Sequence, residues 1–257
     1  MSFTDSYVEV DGCRVHLRRG GSGVPLLYLH GASGAPVIQP FMEQLATRFD
    51  VLVPEHPGYG LSDEPEWLEN IHDMAYFYLD FLSALNLDNV VLVGSSMGGW
   101  MAMEMAVRDT SRIQSMVLVG PAGISAAGVI PGDIFLWSNE ELINNLFHDE
   151  KLVQARLAEP ISAEAIDIGL KNKHTTARLA WEPRLFDPFL PKWLHRIKVP
   201  VKIVWGREDR ILPVGFVEHF RKLMPRAQIE IFENTGHLPQ SEQPEQFCAS
   251  VFKFACK

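Results

Sequence analysis

Residues 90–100 read VVLVGSSMGGW. An apolar run, Val90 to Val93, stops at Gly94, and two serines, a methionine and two more glycines follow. Gly94-Ser95-Ser96-Met97-Gly98 fits G-x-S-x-G, the pattern of a serine perched on a sharp turn between a strand and a helix. Glycines leave room in such a bend that a Cβ would fill. Glycine and serine also punctuate ordinary strand ends, so the stretch takes its meaning from the rest of the chain.

Outward from it, short apolar runs recur. Tyr7–Val10 and Cys13–Leu17 read as paired strands joined by Asp11-Gly12, a strong hairpin signal. Val24–Leu29, Val51–Val53, Met116–Val119, Val201–Trp205 and Ile229–Phe232 read as further strands. Between them Phe41–Phe49, Met74–Leu85, Met97–Val107, Phe216–Leu223 and Phe247–Phe254 repeat apolar residues at helical spacing. Strands alternating with helices predict an α/β fold with a mostly parallel central sheet and helices on both faces. From Pro121 to His195 the alternation breaks. That stretch has helical pieces at Glu140–Phe147 and Leu152–Leu157, five prolines after Pro121 and three tryptophans, but no convincing strand. The reading is a core of residues 1–120 and 197–257 with a helical lid inserted at 121–196, over the sheet edge where open α/β sheets bind ligands.

Composition narrows the function classes. The 257 residues are 47% hydrophobic and 21% charged, an ordinary globular balance. A net charge of −9 without a basic cluster argues against nucleic acid. No uncharged apolar run approaches the ~18–20 residues of a membrane helix. Three cysteines without a CxxC predict a reducing compartment. The opening MSFTDSYVEVDG lacks the pattern of a signal peptide, so the expected location is cytoplasmic. Nine histidines include no HExxH and no cysteine pairing at zinc spacing; no metal is expected.

A serine hydroxyl needs a base, and the base needs a group to orient it. In this architecture the order is serine, acid, histidine. Val201–Trp205 is followed by Gly206-Arg207-Glu208-Asp209, and Ile229–Phe232 by Glu233-Asn234-Thr235-Gly236-His237. Asp209 is the expected acid, with Glu208 as immediate rival, and His237 the expected base. His56, in PEHPGYG, has a place near the pocket open to it but precedes Ser96; His148, His174 and His195 fall in the insertion and His219 inside a helix, and most of these read as surface or packing residues. Oxyanion donors are expected from the Met97 N–H and, in the loop His30-Gly31-Ala32-Ser33-Gly34, from Ala32, with Ser33 as alternative.

These residues resemble the α/β-hydrolase superfamily over essentially the whole chain. The matching stretches are LHGASG (29–34), PEHPGYGLSD (54–63), GSSMGG (94–99), WGREDRILP (205–213) and GHLPQSEQP (236–244). The resemblance implies a Ser96–Asp209–His237 triad, an oxyanion hole of Ala32 and Met97, no cofactor, and a lid. Haloalkane dehalogenases and epoxide hydrolases carry aspartate where Ser96 stands. GSSMGG is similar to the meta-cleavage product hydrolases, which cut C–C bonds. Those enzymes commonly have asparagine at the position of Ser95 and tryptophan at that of Leu238, and use a lid arginine for a substrate carboxylate; Arg156, Arg178 and Arg184 are candidates here. The leading expectation is a hydrolase of small or medium carboxylic esters. A C–C hydrolase of 2-hydroxy-6-oxo-dienoate type is the alternative, and a ligand-sensing protein the alternative from another class. The stretch IFLWS (134–138), with Trp181 and Phe186, is read either as a greasy acyl pocket or as the insertion's own core. Ser33, Trp137, Arg178, Trp181 and Leu238 are the expected pocket residues. The expected partner is a small-molecule substrate, apolar on its acyl side.

Overall fold

The computed structural model describes residues 2–256. β1 (Thr4–Val10) and β2 (Cys13–Gly21) form the hairpin, with positive φ at both turn residues, Asp11 (48°) and Gly12 (76°). A two-residue hairpin turn whose twist matches its strands requires that geometry. Then follow β3 (Val24–Leu29), α1 (Pro40–Leu45), β4 (Phe49–Pro54), α2 (Ile71–Ala84), β5 (Val90–Ser95), α3 (Met97–Arg108) and β6 (Ile113–Val119). The intervening segment holds α4 (Asn139–Leu146), α5 (Glu150–Ala158), α6 (Ala163–Ala180) and two 3-10 turns. β7 (Val201–Gly206), α7 (Phe216–Leu223), β8 (Gln228–Phe232), α8 (Pro239–Glu242) and α9 (Pro244–Ala255) close the chain.

The eight strands form one sheet in the order β1-β2-β4-β3-β5-β6-β7-β8. The β1–β2 and β2–β4 pairs are antiparallel and every other pair is parallel. The period of two decides what each face buries. Leu27, Leu29, Leu92, Leu118, Ile203 and Trp205 enter one core with α2, α3 and α7. Their strand neighbours Leu26, Tyr28, Val91, Val93, Val117, Val119 and Val204 enter a second core with α1 and α9. Helices on both faces therefore make the central strands apolar throughout.

Several boundaries shift by a few residues, as at β2, which runs on to Gly21, and α2, which begins at Ile71, and two departures from the sequence reading are larger. The helix expected over Phe41–Phe49 stops at Leu45, because Thr47 and Arg48 bond back in turns and Phe49 opens β4, paired with Val24. The longest helix between β6 and β7, α6, is not among those the sequence predicts. Ser162 caps it by accepting from Ala165 N–H. Its inner face is polar, so hydrophobic periodicity does not reveal it. Lys171 donates to the carbonyls of Gly60 and Ser62, Asn172 to Ser33, Thr175 to Gly58 and Thr176 to Ala32. These bonds lay α6 across the loops that follow β3 and β4. Between 121 and 196 the only extended pairing among the described residues is a single bridge, Gly123 to Phe186. No helix among the described residues is long and apolar enough to cross a membrane.

Candidate active site

Ser96 sits between β5 and α3 with φ 54° and ψ −117°. A non-glycine residue held there costs on the order of 1–3 kcal/mol, and such strain clusters at functional sites. The flanking glycines make the bend possible. A Cβ on Gly94 would overlap the Gly98 carbonyl oxygen, and one on Gly98 would overlap that of Leu29. Ser96 N–H donates to Val119 O at 2.8 Å, and Ser96 O accepts from Ala122 N–H at 3.0 Å. The elbow is thereby fixed to the tip of β6. On its other side a Cβ at Gly31 would lie 3.2 Å from Ser96 Cβ and 3.8 Å from its Oγ, so the loop after β3 runs against the hydroxyl. Met97 N–H opens α3, in the first turn whose donors lack intrahelical partners.

His237 and Asp209 meet as the spacing predicts. His237 Nδ1 lies 2.7 Å from Asp209 Oδ2, and both side chains are buried. Asp209 Oδ1 accepts from the N–H groups of Ile211 and Leu212, each at 2.8 Å. An ionised carboxylate only accepts, so Nδ1 carries the proton and Nε2 keeps its lone pair. Glu208, the rival acid, instead accepts from Thr235 N–H at 2.8 Å. Gly120, next to the Val119 carbonyl that holds Ser96, lies against this pair. A Cβ there would be 3.4 Å from Asp209 Oδ2 and from His237 Nδ1 and Cε1. The strand tip thus borders both the serine's backbone and the imidazole.

Behind the elbow, Gln240 Nε2 donates to Ser95 Oγ at 3.1 Å and to Tyr28 Oη at 3.4 Å. This links the strand of Ser96 to the segment of His237. Gln240 also sits three residues past His237, a position no motif reading singled out.

Beneath the 30–34 loop lies a pair of histidines whose tautomers are set by their partners. The rings of His30 and His56 stack at 3.5 Å. Tyr78 O–H donates to His56 Nδ1, and His56 Nε2–H donates to His30 O at 3.0 Å. His56 N–H donates to His30 Nε2 at 3.1 Å, and His30 Nδ1–H to Gly31 O at 2.7 Å. Every ring nitrogen is used in the neutral form. Burial pushes His30 down to about 4 and His56 well below the ordinary histidine value. His56 is therefore a support under the loop.

A pH dependence follows. An unfolded histidine takes its proton near 6.5, whereas folded His30 resists until about 4. Between those values the unfolded chain binds more protons, so stability falls as pH falls. The contribution is intact above 6.5 and fully lost below about 4, about 3 kcal/mol from His30 alone. His56 acts in the same direction. His72, raised by Glu104, acts in the opposite direction but is half exposed. Urea midpoints should drop steadily from neutral pH down to about 4.5, and the His30 ring signal should not titrate near 6.5. A normal titration of that ring contradicts the account.

Leu238 is half-buried beside His237. Ser33 is exposed, and its carbonyl accepts from Asn172. Trp137 packs on Gly132, close to the Arg210 carbonyl. Trp181 stands edge-on to Phe135 at 5.3 Å, with the Arg184 guanidinium 4.3 Å over its ring. Ile134, Phe135 and Trp137 pack against the larger core, and Leu136 is exposed. Each candidate arginine already faces a carboxylate: Arg178 donates to Glu64 at 2.9 Å, Arg184 to Asp133 and Arg156 to Glu159.

One trio among the described residues, His72, Glu104 and Asp187, has metal-ligand atoms within 4.8 Å of one another. Arg108 already donates there, to Glu104 Oε2 at 2.6 Å and His72 Nδ1 at 2.7 Å. The Arg108 guanidinium therefore already supplies positive charge to two of the three.

Comparison with known proteins agrees with this architecture. The model of the alpha/beta hydrolase family matches residues 26–250, and the chain belongs to that family. It is 28% identical over 258 residues to the 2-hydroxymuconate semialdehyde hydrolase of Pseudomonas sp. (strain CF600), covering 95% of this chain and 90% of that one. An uncharacterized protein of Mycobacterium tuberculosis (strain ATCC 25618 / H37Rv) is 27% identical over 284 residues, 98% of this chain and 81% of its own length. Among solved structures, the meta-cleavage product hydrolase of Pseudomonas fluorescens IP01 superposes with a TM-score of 0.81 at 23% identity, over 97% and 96% of the two chains. The esterase RhEst1 of Rhodococcus sp. ECU1013 gives 0.74 at 21% identity, over 100% and 99%. At such identities these two structures bear on the fold alone.

Proposed function

We propose that the protein is a serine hydrolase of small or medium carboxylic esters, working through an acyl-enzyme. Ser96 attacks the ester carbonyl while His237 Nε2 takes the hydroxyl proton. Asp209 holds the ring in the required tautomer and stabilises the imidazolium. The N–H groups of Ala32 and Met97 receive the developing oxyanion, an effect on the order of 3–4 kcal/mol per donor. The proton then passes to the departing alcohol. Water, deprotonated by His237, releases the acid and restores Ser96. Residues 121–196 serve as the lid, with the substrate between them and the strand ends. The single observation that supports this reading is the buried 2.7 Å His237–Asp209 bond, which borders Gly120, next to the Val119 carbonyl that holds the strained turn of Ser96.

A second reading, C–C hydrolysis of a dienoate, draws on the relatives whose names specify such substrates, among them the 2-hydroxymuconate semialdehyde hydrolase. Against it, Arg156, Arg178 and Arg184 are all paired with acids of this chain, which favours an uncharged substrate. Purified protein given p-nitrophenyl butyrate and a 2-hydroxy-6-oxo-dienoate separates the two. We expect ester turnover to exceed dienoate turnover by at least tenfold. Fast dienoate cleavage with negligible esterase activity reverses the order.

A further inference from the structure

His237 is held through its main chain as well as its ring. Its N–H donates at 2.8 Å to the carbonyl of Leu146, the last residue of α4. One residue earlier, Gly236 N–H donates to Glu242 Oε1 at 2.6 Å. The other oxygen of that carboxylate accepts from the N–H groups of His148 and Asp149, at 2.8 and 3.0 Å. Bonds to an ionised acceptor are about twice as strong as neutral ones. The approach is close enough to exclude a side chain. A Cβ on Gly236 would lie 2.7 Å from Leu146 O, 2.8 Å from His148 N and 2.9 Å from the Phe147 carbonyl carbon. One carboxylate therefore joins the loop of the imidazole to the α4–α5 junction of the insertion.

We propose that Glu242 is a positioning residue for His237. It clasps the base's loop to residues 146–149, so that the imidazole keeps its place toward Ser96 only while that part of the insertion is seated. Glu242 acts through His237 and touches no reacting atom. The role rests on the hydrolase reading above.

The test uses the full chain as wild type, Glu242→Ala, Glu242→Gln and Gly236→Ala, with the folded fraction fixed by near-UV circular dichroism. Two rates are read, p-nitrophenyl butyrate turnover and labelling of Ser96 by a fluorophosphonate, both of which need the base in place. For folded Glu242→Ala we expect kcat to fall about 10–100-fold, the loss that a misplacement of about 1 Å produces. KM should stay within about twofold, and labelling should slow by the same factor as kcat. Gly236→Ala, which keeps the carboxylate but forces the junction away, should behave alike. Glu242→Gln retains one acceptor oxygen and should fall between. Rates within twofold of wild type in folded Glu242→Ala overturn the role, as does a loss that merely follows the unfolded fraction. If Glu242→Ala does not fold, wild-type rates in Glu242→Gln and Gly236→Ala overturn it. A wild type that neither labels nor turns over ester removes the hydrolase reading itself, an outcome the wild-type control keeps separate.

Discussion

Asp209→Asn should lower kcat/KM for p-nitrophenyl esters on the order of 10⁴-fold while the protein stays folded. The asparagine carbonyl can still accept from Ile211 and Leu212, which bond Asp209 Oδ1 at 2.8 Å. Its amide nitrogen would then face His237 Nδ1. Two donors cannot meet, so the imidazole moves its proton to Nε2 and has no lone pair left for Ser96. The geometry survives and the tautomer does not. The melting temperature should therefore change by a few degrees at most, while turnover nearly vanishes. Esterase activity within tenfold of wild type would mean that His237 is not the base or that Asp209 does not orient it.

Gly98→Ala should act on the fold with comparable severity. The new Cβ would overlap the Leu29 carbonyl oxygen and lie 2.5 Å from that of His30. Leu29 ends β3, a central strand buried on both faces, and is paired there with Gly94 of β5, and His30 is the residue that follows it. They cannot retreat without disturbing the sheet. Overpacking typically costs about 1–3 kcal/mol, and a clash with fixed backbone falls at the upper end, a large share of the roughly 5–15 kcal/mol of a typical domain. The thermal midpoint should fall by roughly 10 °C or the protein should not accumulate. Gly169→Ala is the control. Gly169 lies inside α6 with open space where its Cβ would go. Alanine there should stabilise by roughly 0.5–1 kcal/mol through helix propensity. A thermal scan in which both variants match wild type would sink the close-packing explanation of the elbow.

Where the sequence was readable, local rules and tertiary structure demanded the same residues. β5 had to be apolar on both faces, and its end had to carry glycines wherever backbone met backbone, so VVLVGSSMGG announced a strand and its bend together. The Asp11-Gly12 turn was legible for the same reason, since the required positive φ falls on residue types that tolerate it. Asp209 and His237 were found because each closely follows the apolar strand that delivers it. Separating Asp209 from Glu208 needed coordinates, because both are acids of one loop and only their contacts differ. α6 was hidden because its docking face is built from Lys171, Asn172, Thr175 and Thr176, which bind loop carbonyls instead of burying apolar area. The histidine pair was hidden for a related reason. His30 and His56 lie 26 positions apart, and only folding stacks them. Arg156, Arg178 and Arg184 read in the sequence as candidates for a substrate carboxylate, and the fold gives each of these three an acid of this chain.

The most direct test of the central claim is covalent. Wild type and Ser96→Ala are treated with a fluorophosphonate and digested, and the modified peptide is sequenced by mass spectrometry. We expect one adduct, on Ser96, formed in wild type and absent in folded Ser96→Ala. No adduct in folded wild type, or an adduct on another residue that persists in Ser96→Ala, would contradict the assignment of Ser96 as the nucleophile.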